Sequence, residues 1–218
     1  MNALEDTGRV LLINKPYQWT SFDVVNKLRY LLKIKKVGHA GTLDPLATGL
    51  LIICTGKMTK RIEEFMGLEK EYTGKFILGK TTPSHDLETE VADGKDASGL
   101  TSDQIHDAAK ALTGTLHQLP PMHSAIKVGG KRAYEFARKG QEIELKTREI
   151  EIVTFEITQI RLPDVTFRIV CSKGTYIRSI ARDFGNALGV GAYLTELCRT
   201  RIGNFKLEDA LEIDAVAS

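Results

Sequence analysis

Hydrophobic positions recur along this chain with two periods, and the switches between them mark its elements. Residues 9–14 form a short apolar run that stops at Lys15-Pro16, which predicts a strand. Thr20 and Asp23 then have the spacing of a capping box, with Asp in place of the usual Glu or Gln. Behind it Phe22, Val25, Leu28, Leu31 and Leu32 recur at helical spacing. The run Gly49-Leu50-Leu51-Ile52-Ile53-Cys54 is continuously apolar and reads as a buried strand, followed by a short helix near residues 60–65. Residues 71–78 alternate, with Tyr72, Gly74, Phe76 and Leu78 on one side and Thr73, Lys75 and Ile77 on the other. Tyr72 therefore shares its side with two large apolar residues.

Residues 82–100 are polar and glycine-bearing, which predicts a mobile loop, and Ser102 is placed to cap a helix running to Leu112. Leu119-Pro120-Pro121 opens an irregular basic segment with a Gly129-Gly130 turn and a short helix over 133–139; it reads as an insertion rather than core. Residues 149–160 form a long strand whose apolar phase slips between Ile152 and Val153, the mark of a bulge. Pro163-Asp164 turns the chain back into Val165, Phe167, Ile169 and Cys171, so the pair is a hairpin. Ser172-Lys173-Gly174 leads into a helix with Ile177, Ile180, Ala181, Phe184 and Leu188 on one face. Strands and helices mix without strict βαβ alternation. The fold class is therefore α+β with a mixed, mainly antiparallel β-sheet, read as one domain over residues 1–218.

With 218 residues and 42% hydrophobic content the chain can bury a real core. Nothing resembles a signal peptide, and no apolar run is long enough to span a bilayer, so no membrane role is expected. Cys54, Cys171 and Cys198 are scattered and odd in number, which fits free thiols in a reducing compartment and a cytoplasmic location. No Cys or His spacing matches a zinc site and the five histidines are dispersed, so no metal is expected. The net charge of +2 hides a segregation. Residues 119–148 carry seven basic against three acidic side chains, a balance of +4, whereas residues 84–107 carry seven acids against Lys95, a balance of −6. Such a division suits a polyanion on one face, although a charge run is often only a solvated surface.

The run Gly38-His39-Ala40-Gly41-Thr42-Leu43-Asp44-Pro45-Leu46-Ala47-Thr48-Gly49 sets one carboxylate, Asp44, in a loop of small residues. Little bulk surrounds the acid, so a large planar group can approach the backbone. With no second carboxylate in the run, the chemistry indicated is nucleophilic rather than a paired acid and base. The plainer reading is a turn whose Asp caps the backbone. Arg178 sits in the first turn of its helix, where the dipole disfavours a cation; it either snorkels to solvent or holds a carboxylate in a bidentate pair. Tyr72 is either a core tyrosine or a base-stacking group able to handle a proton.

Five segments in order resemble the TruB family of bacterial tRNA pseudouridine synthases. They are the Asp44 run, Asn14-Lys15-Pro16 with Thr20-Ser21-Phe22, Lys70-Glu71-Tyr72, Gln118-Leu119-Pro120-Pro121 with Ser124-Ala125-Ile126-Lys127, and Cys171-Ser172-Lys173-Gly174-Thr175-Tyr176-Ile177-Arg178. The resemblance implies a pseudouridine synthase fold with an inserted RNA-gripping "thumb" near residues 119–146. It implies that Asp44 is the nucleophile, Tyr72 the base-stacking proton acceptor and Arg178 the partner of the aspartate. His39 matches a histidine that enters the RNA loop, and Leu197 a leucine lining the uracil pocket. Lys15, Lys127, Arg132, Lys173 and Tyr176 fall in or beside the matched segments as substrate-binding candidates. Asp86 is a further one, and equally suits an Asx-turn. The implied reaction converts uridine-55 in the tRNA T-loop to pseudouridine without cofactor or metal. Its implied partner is tRNA, with no guide RNA or protein partner and a monomeric enzyme. Three features depart from the family pattern. His123 stands where relatives often have tyrosine. Gln18 stands where glycine is frequent, implying a different local turn. About a dozen residues follow Phe205, too few for a C-terminal PUA-type module. Two rival readings are a non-catalytic tRNA-folding chaperone and a guide-RNA-dependent synthase.

Overall fold

The structure is a computed structural model that describes residues 7–124, 126–137, 139–141 and 143–217. In chain order its elements begin with β1 (Val10–Lys15), α1 (Ser21–Leu32), β2 (Val37–Ala40), β3 (Thr48–Thr55) and α2 (Ile62–Met66). Next come β4 (Lys70–Leu78), β5 (Lys80–Thr81), β6 (Ala92–Asp93), α3 (Ser102–Ala111), β7 (Gly114–Gln118), β8 (Lys127–Val128), β9 (Lys131–Arg132) and α4 (Ala133–Ala137). The last are β10 (Arg148–Arg161), β11 (Asp164–Cys171), α5 (Ile177–Ala187), β12 (Ala192–Ile202) and β13 (Phe205–Lys206). This is the α+β class with a central, mostly antiparallel sheet. Among the described residues no helix is long and apolar enough to cross a membrane. The chain divides into two compact units, one of residues 1–73 with 196–218 and the other of residues 74–195.

In the first unit the apolar run of β3 explains itself. β3 pairs antiparallel with β1 and β2 and parallel with β12, so both its edges are hydrogen-bonded, and its side chains pack into a cluster on each face. Leu51 and Ile53 join Ile13, Val24, Val25, Leu28 and Val37 in one cluster, while Leu50, Ile52 and Cys54 join Ala40, Phe65 and Ile202 in another. α1 starts at the expected capping box, with Thr20 and Asp23 exchanging hydrogen bonds. Its inward stripe is Ser21, Val24, Val25 and Leu28. Phe22 lies off that stripe and is exposed, with the Arg29 guanidinium 5.7 Å from its ring centre, which corrects its assignment to the apolar face.

In the second unit β10 pairs with both β11 and β7. The expected slip appears as a register shift between Ile152 and Thr154, and a second shift lies between Ile157 and Gln159. Phe76, Phe155, Phe167 and Phe184 pack together, Phe76 stacking on Phe167 at 4.1 Å between centroids. α3 is capped by Thr101 rather than Ser102. Gln104 returns the bond to the Thr101 N–H, a service that Ile105 could not offer Ser102. The 82–100 stretch is also corrected. Thr82, Ser84 and Asp86 are buried, and the first two hydroxyls donate to the Asp86 carbonyl, so this part is tied inward.

Candidate active site

Asp44 lies in the turn between β2 and β3, half-exposed, between the buried side chains of Leu43 and Ala47. The turn is closed by the Ala47 N–H donating to the Asp44 carbonyl at 3.0 Å. Ser21, the first residue of α1, clamps it from one side: its hydroxyl accepts from the Leu43 N–H at 2.9 Å and donates to the Leu43 carbonyl at 3.2 Å. The Gln18 N–H donates to the Pro45 carbonyl at 2.8 Å. Gln18 stands at φ +65°, a left-handed conformation that glycine takes most readily.

Two buried cations complete the support. Lys15, at the end of β1, is fully buried, and its Nζ donates to the carbonyls of Pro16, Trp19 and Pro45 at 2.9, 2.6 and 3.3 Å. Burial lowers its pKa to about 8, and the charge of Asp44 is the largest influence opposing that shift. Arg199, on β12, is 1% exposed. Its Nε donates to the Leu50 carbonyl at 2.8 Å, and its Nη1 and Nη2 reach the carbonyls of Thr42 at 3.5 Å and Gly41 at 3.3 Å. β12 can come this near because Gly49, at φ +102°, faces Arg199 across the parallel ladder; a Cβ there would collide with the Arg199 backbone. Sequence reasoning missed Arg199. It sits in the polar run Arg199-Thr200-Arg201, which carries no sign of a buried side chain.

The same unit holds three further candidates. His39 lies on β2, half-buried, and burial lowers its pKa, aided by the charge of Arg199 and opposed by a backbone hydrogen bond at Gly41. The ring is therefore neutral at neutral pH. Tyr72 on β4 is 8% exposed. Leu197 on β12 is half-buried, and its carbonyl accepts from Thr48 Oγ1 at 3.4 Å.

In the second unit Arg178 is not a snorkelling side chain. It is 3% exposed in the first turn of α5. Its Nε lies 3.4 Å from Asp86 Oδ2, and its Nη1 and Nη2 donate to the carbonyls of Ser84 at 3.3 Å and His123 at 2.9 Å. Asp86 forms the Asx-turn that was one of its two readings, Oδ1 accepting the Glu88 N–H at 2.9 Å, while Oδ2 faces the Arg178 guanidinium. The His123 ring stands 4.0 Å from Glu88. Gln118 pairs with both backbone groups of Tyr176, accepting its N–H at 2.8 Å and donating to its carbonyl at 3.1 Å. The Tyr176 ring lies 5.6 Å beneath the Arg148 guanidinium, and Lys173 is exposed. Lys127 and Arg132 are paired across the β8–β9 hairpin, but their side chains lie outside the described residues. Among the described residues no three His, Cys, Asp or Glu side chains cluster as a metal site would.

Residues 29–177 match the family described as TruB family pseudouridylate synthase (N terminal domain), so by class the chain is a pseudouridylate synthase. Residues 178–218 match the tRNA pseudouridylate synthase B C-terminal domain; the chain belongs to the TruB family. It is 54% identical over 213 residues to a tRNA pseudouridine synthase B of Flavobacterium johnsoniae, covering 94% of this chain and 93% of that one. It is 52% identical over 214 residues to the protein of the same name in Phocaeicola vulgatus, covering 95% and 91%. A solved Cbf5-Nop10-Gar1 complex contains a chain 30% identical to it with a TM-score of 0.76, covering 98% of this chain and 54% of that one. An H/ACA RNP bound to a substrate RNA containing 2'-deoxyuridine gives 28% identity and a TM-score of 0.72, covering 95% and 52%. The chain thus spans about half the length of these structural neighbours, and the pseudouridine synthase fold expected from its motifs is borne out.

Proposed function

We propose that this chain isomerises uridine-55 in the T-loop of tRNA to pseudouridine, with Asp44 as its nucleophile. The observation that carries the reading is the Asp44 turn. One half-exposed carboxylate stands on backbone fixed by Ser21, Gln18, Lys15 and Arg199. A preorganised acid of this kind suits attack better than a solvated turn does. Near-full-length relatives named tRNA pseudouridine synthase B support tRNA as the substrate.

The reaction breaks the bond from C1′ to N1 of uracil and makes one from C1′ to C5. Substrate and product are isomers, so nothing is oxidised and no water is consumed. Asp44 starts it at C1′ or C6, or by taking a proton from C2′. The detached base turns within its pocket, C5 gives up its proton and N1 gains one. Tyr72, stacked on the uracil, receives the C5 proton directly or through water. Arg178, held by Asp86 and two carbonyls, serves the reacting carboxylate with a fixed guanidinium. The target base must first leave its stack, at a cost of a few kcal/mol, roughly. His39, neutral and on a strand, fills the space it vacates. Leu197 lines the uracil site. Lys127, Arg132, Lys173 and Tyr176 grip the RNA backbone. The enzyme acts as a monomer in the cytoplasm, with no guide RNA, protein partner, metal or cofactor.

Purified protein is mixed with an unmodified tRNA transcript, and pseudouridine is mapped by its carbodiimide adducts. Product at position 55 without partners is expected, and none from Asp44→Asn, which still binds tRNA. Turnover by Asp44→Asn ends the nucleophile assignment. Binding without product by the unaltered protein leaves the chaperone reading, and product only with added guide RNA and partner proteins leaves the guided one.

A further inference from the structure

Arg199 is a buried guanidinium whose recorded partners are all backbone carbonyls, those of Gly41, Thr42 and Leu50, with no carboxylate partner among the described residues. Buried charges are ordinarily paired with an opposite charge, because desolvation costs several kcal/mol per ion, on the order of magnitude known for proteins. Lys15 repeats the anomaly. It too is fully buried and bonded to three carbonyls, one of them Pro45 in the same turn. Two cations without bonded carboxylates therefore support one short loop, and that loop carries Asp44. The three Arg199 acceptors bracket it. Gly41 and Thr42 lie just before the acid and Leu50 just beyond the loop, inside β3. A core serving stability alone would place apolar side chains here, since buried ions are commonly replaced by apolar residues without loss.

We propose that Arg199 is a positioning residue for the isomerisation: its fork fixes the backbone on both sides of Asp44, and its unpaired charge favours the negative charge that the reaction carries there. This inference rests on the function proposed above. The charge argument follows the electron pair. If Asp44 attacks C1′, its negative charge passes to the departing uracil, so one negative charge is present throughout and a fixed cation needs no rearrangement to favour it. The geometric argument follows the loop, because a displacement of about 1 Å at a reacting group costs about a hundredfold in rate.

The test compares unaltered protein, Arg199→Lys and Arg199→Gln by single-turnover pseudouridine formation at saturating tRNA, by tRNA affinity and by circular-dichroism melting. The unaltered protein and Asp44→Asn run alongside. If the unaltered protein forms no pseudouridine, the function itself fails, which is distinguishable from failure of the role of Arg199. Given an active protein, Arg199→Gln should lose about a hundredfold in rate, the scale of one lost preorganised contact, with affinity unchanged within about threefold. Arg199→Lys keeps the charge but not the fork, and should recover about tenfold of that loss. The proposal is overturned if Arg199→Gln reacts at the unaltered rate, if the loss lies in tRNA affinity, or if Arg199→Lys is no faster than Arg199→Gln. Should Arg199→Gln not fold, Arg199→Lys decides: a folded variant about tenfold slower supports the role, and one at the unaltered rate overturns it.

Discussion

Lys15 shows how much a residue's setting adds to its identity. It was legible as part of Asn14-Lys15-Pro16, but neither its complete burial nor its bond to Pro45 could be read from a lysine at a strand end. The sign of its titration is definite. The folded pKa of about 8 lies below the ordinary 10.5, so between those values the unfolded chain holds more protons than the folded one. Stability from this group therefore rises as pH climbs from about 8 to about 10.5, and is lost as pH falls back through 8. The shift corresponds to about 3 kcal/mol. Denaturant unfolding of the unaltered protein and Lys15→Met at a series of pH values isolates it. Between neutral pH and the ordinary lysine range the unaltered protein should gain about 3 kcal/mol relative to the variant. A difference that stays flat across that range contradicts the buried, charged lysine. Arg199 marks the limit of reading at this scale. Asp44 announced itself through its small neighbours, whereas an arginine among polar strand residues gives no hint that its side chain turns inward.

At the scale of elements, local signals were read well and pairings between distant segments were not. The Thr20–Asp23 capping box and the slip beside Ile152 depend on neighbours in sequence, and both are present. Ser102 failed as a cap because the residue three positions on decides the matter, and Gln104 answers to Thr101. The start of α5 depends on residues far away. Tyr176 caps it without a side-chain bond, and the Gln118 amide, at the end of β7, bonds both its N–H and its carbonyl, which also takes the Ile180 N–H. One turn later the Ser179 hydroxyl donates to the Leu119 carbonyl at 2.9 Å, and Arg178 Nη2 reaches the His123 carbonyl. The root of the basic segment is thereby stitched along the helix that presents Arg178. Gln118→Ala strands the half-buried Tyr176 N–H, while the Tyr176 carbonyl keeps the Ile180 N–H, for about 1 kcal/mol of stability, or a few degrees in melting temperature. It should also slow single turnover at saturating tRNA by about tenfold, since the Arg178 turn loses its register. Melting and turnover both at the unaltered level show that the amide pair holds nothing in place.

For the molecule as a whole, the division of charge matters more than its sum. The basic stretch 119–148 and the acidic stretch 84–107 both belong to the second unit, and a net charge of +2 conceals them. Part of the acidic stretch is now accounted for, because Asp86 is buried against Arg178 and is no surface charge at all. The basic stretch has a different character. Lys131, Lys139 and Lys146 are exposed, and none has an acidic partner recorded among the described residues. Exposed lysines are common on any solvated surface, so their part in RNA binding is a matter for measurement. Each lysine that neutralises a phosphate releases a counterion, which makes affinity fall with salt by about 0.7 to 0.9 logarithmic units per tenfold change in salt. Replacing all three with Gln should therefore reduce the slope of log affinity against log salt by about 2 to 3. The single-turnover rate at saturating tRNA should stay within about threefold, because electrostatic steering acts before chemistry. The measurement is filter binding of an unmodified transcript over a salt series, with turnover assayed alongside. An unchanged slope removes the basic segment from the RNA interface, and a slope that falls together with the saturated rate moves these lysines from gripping the RNA to shaping the reaction.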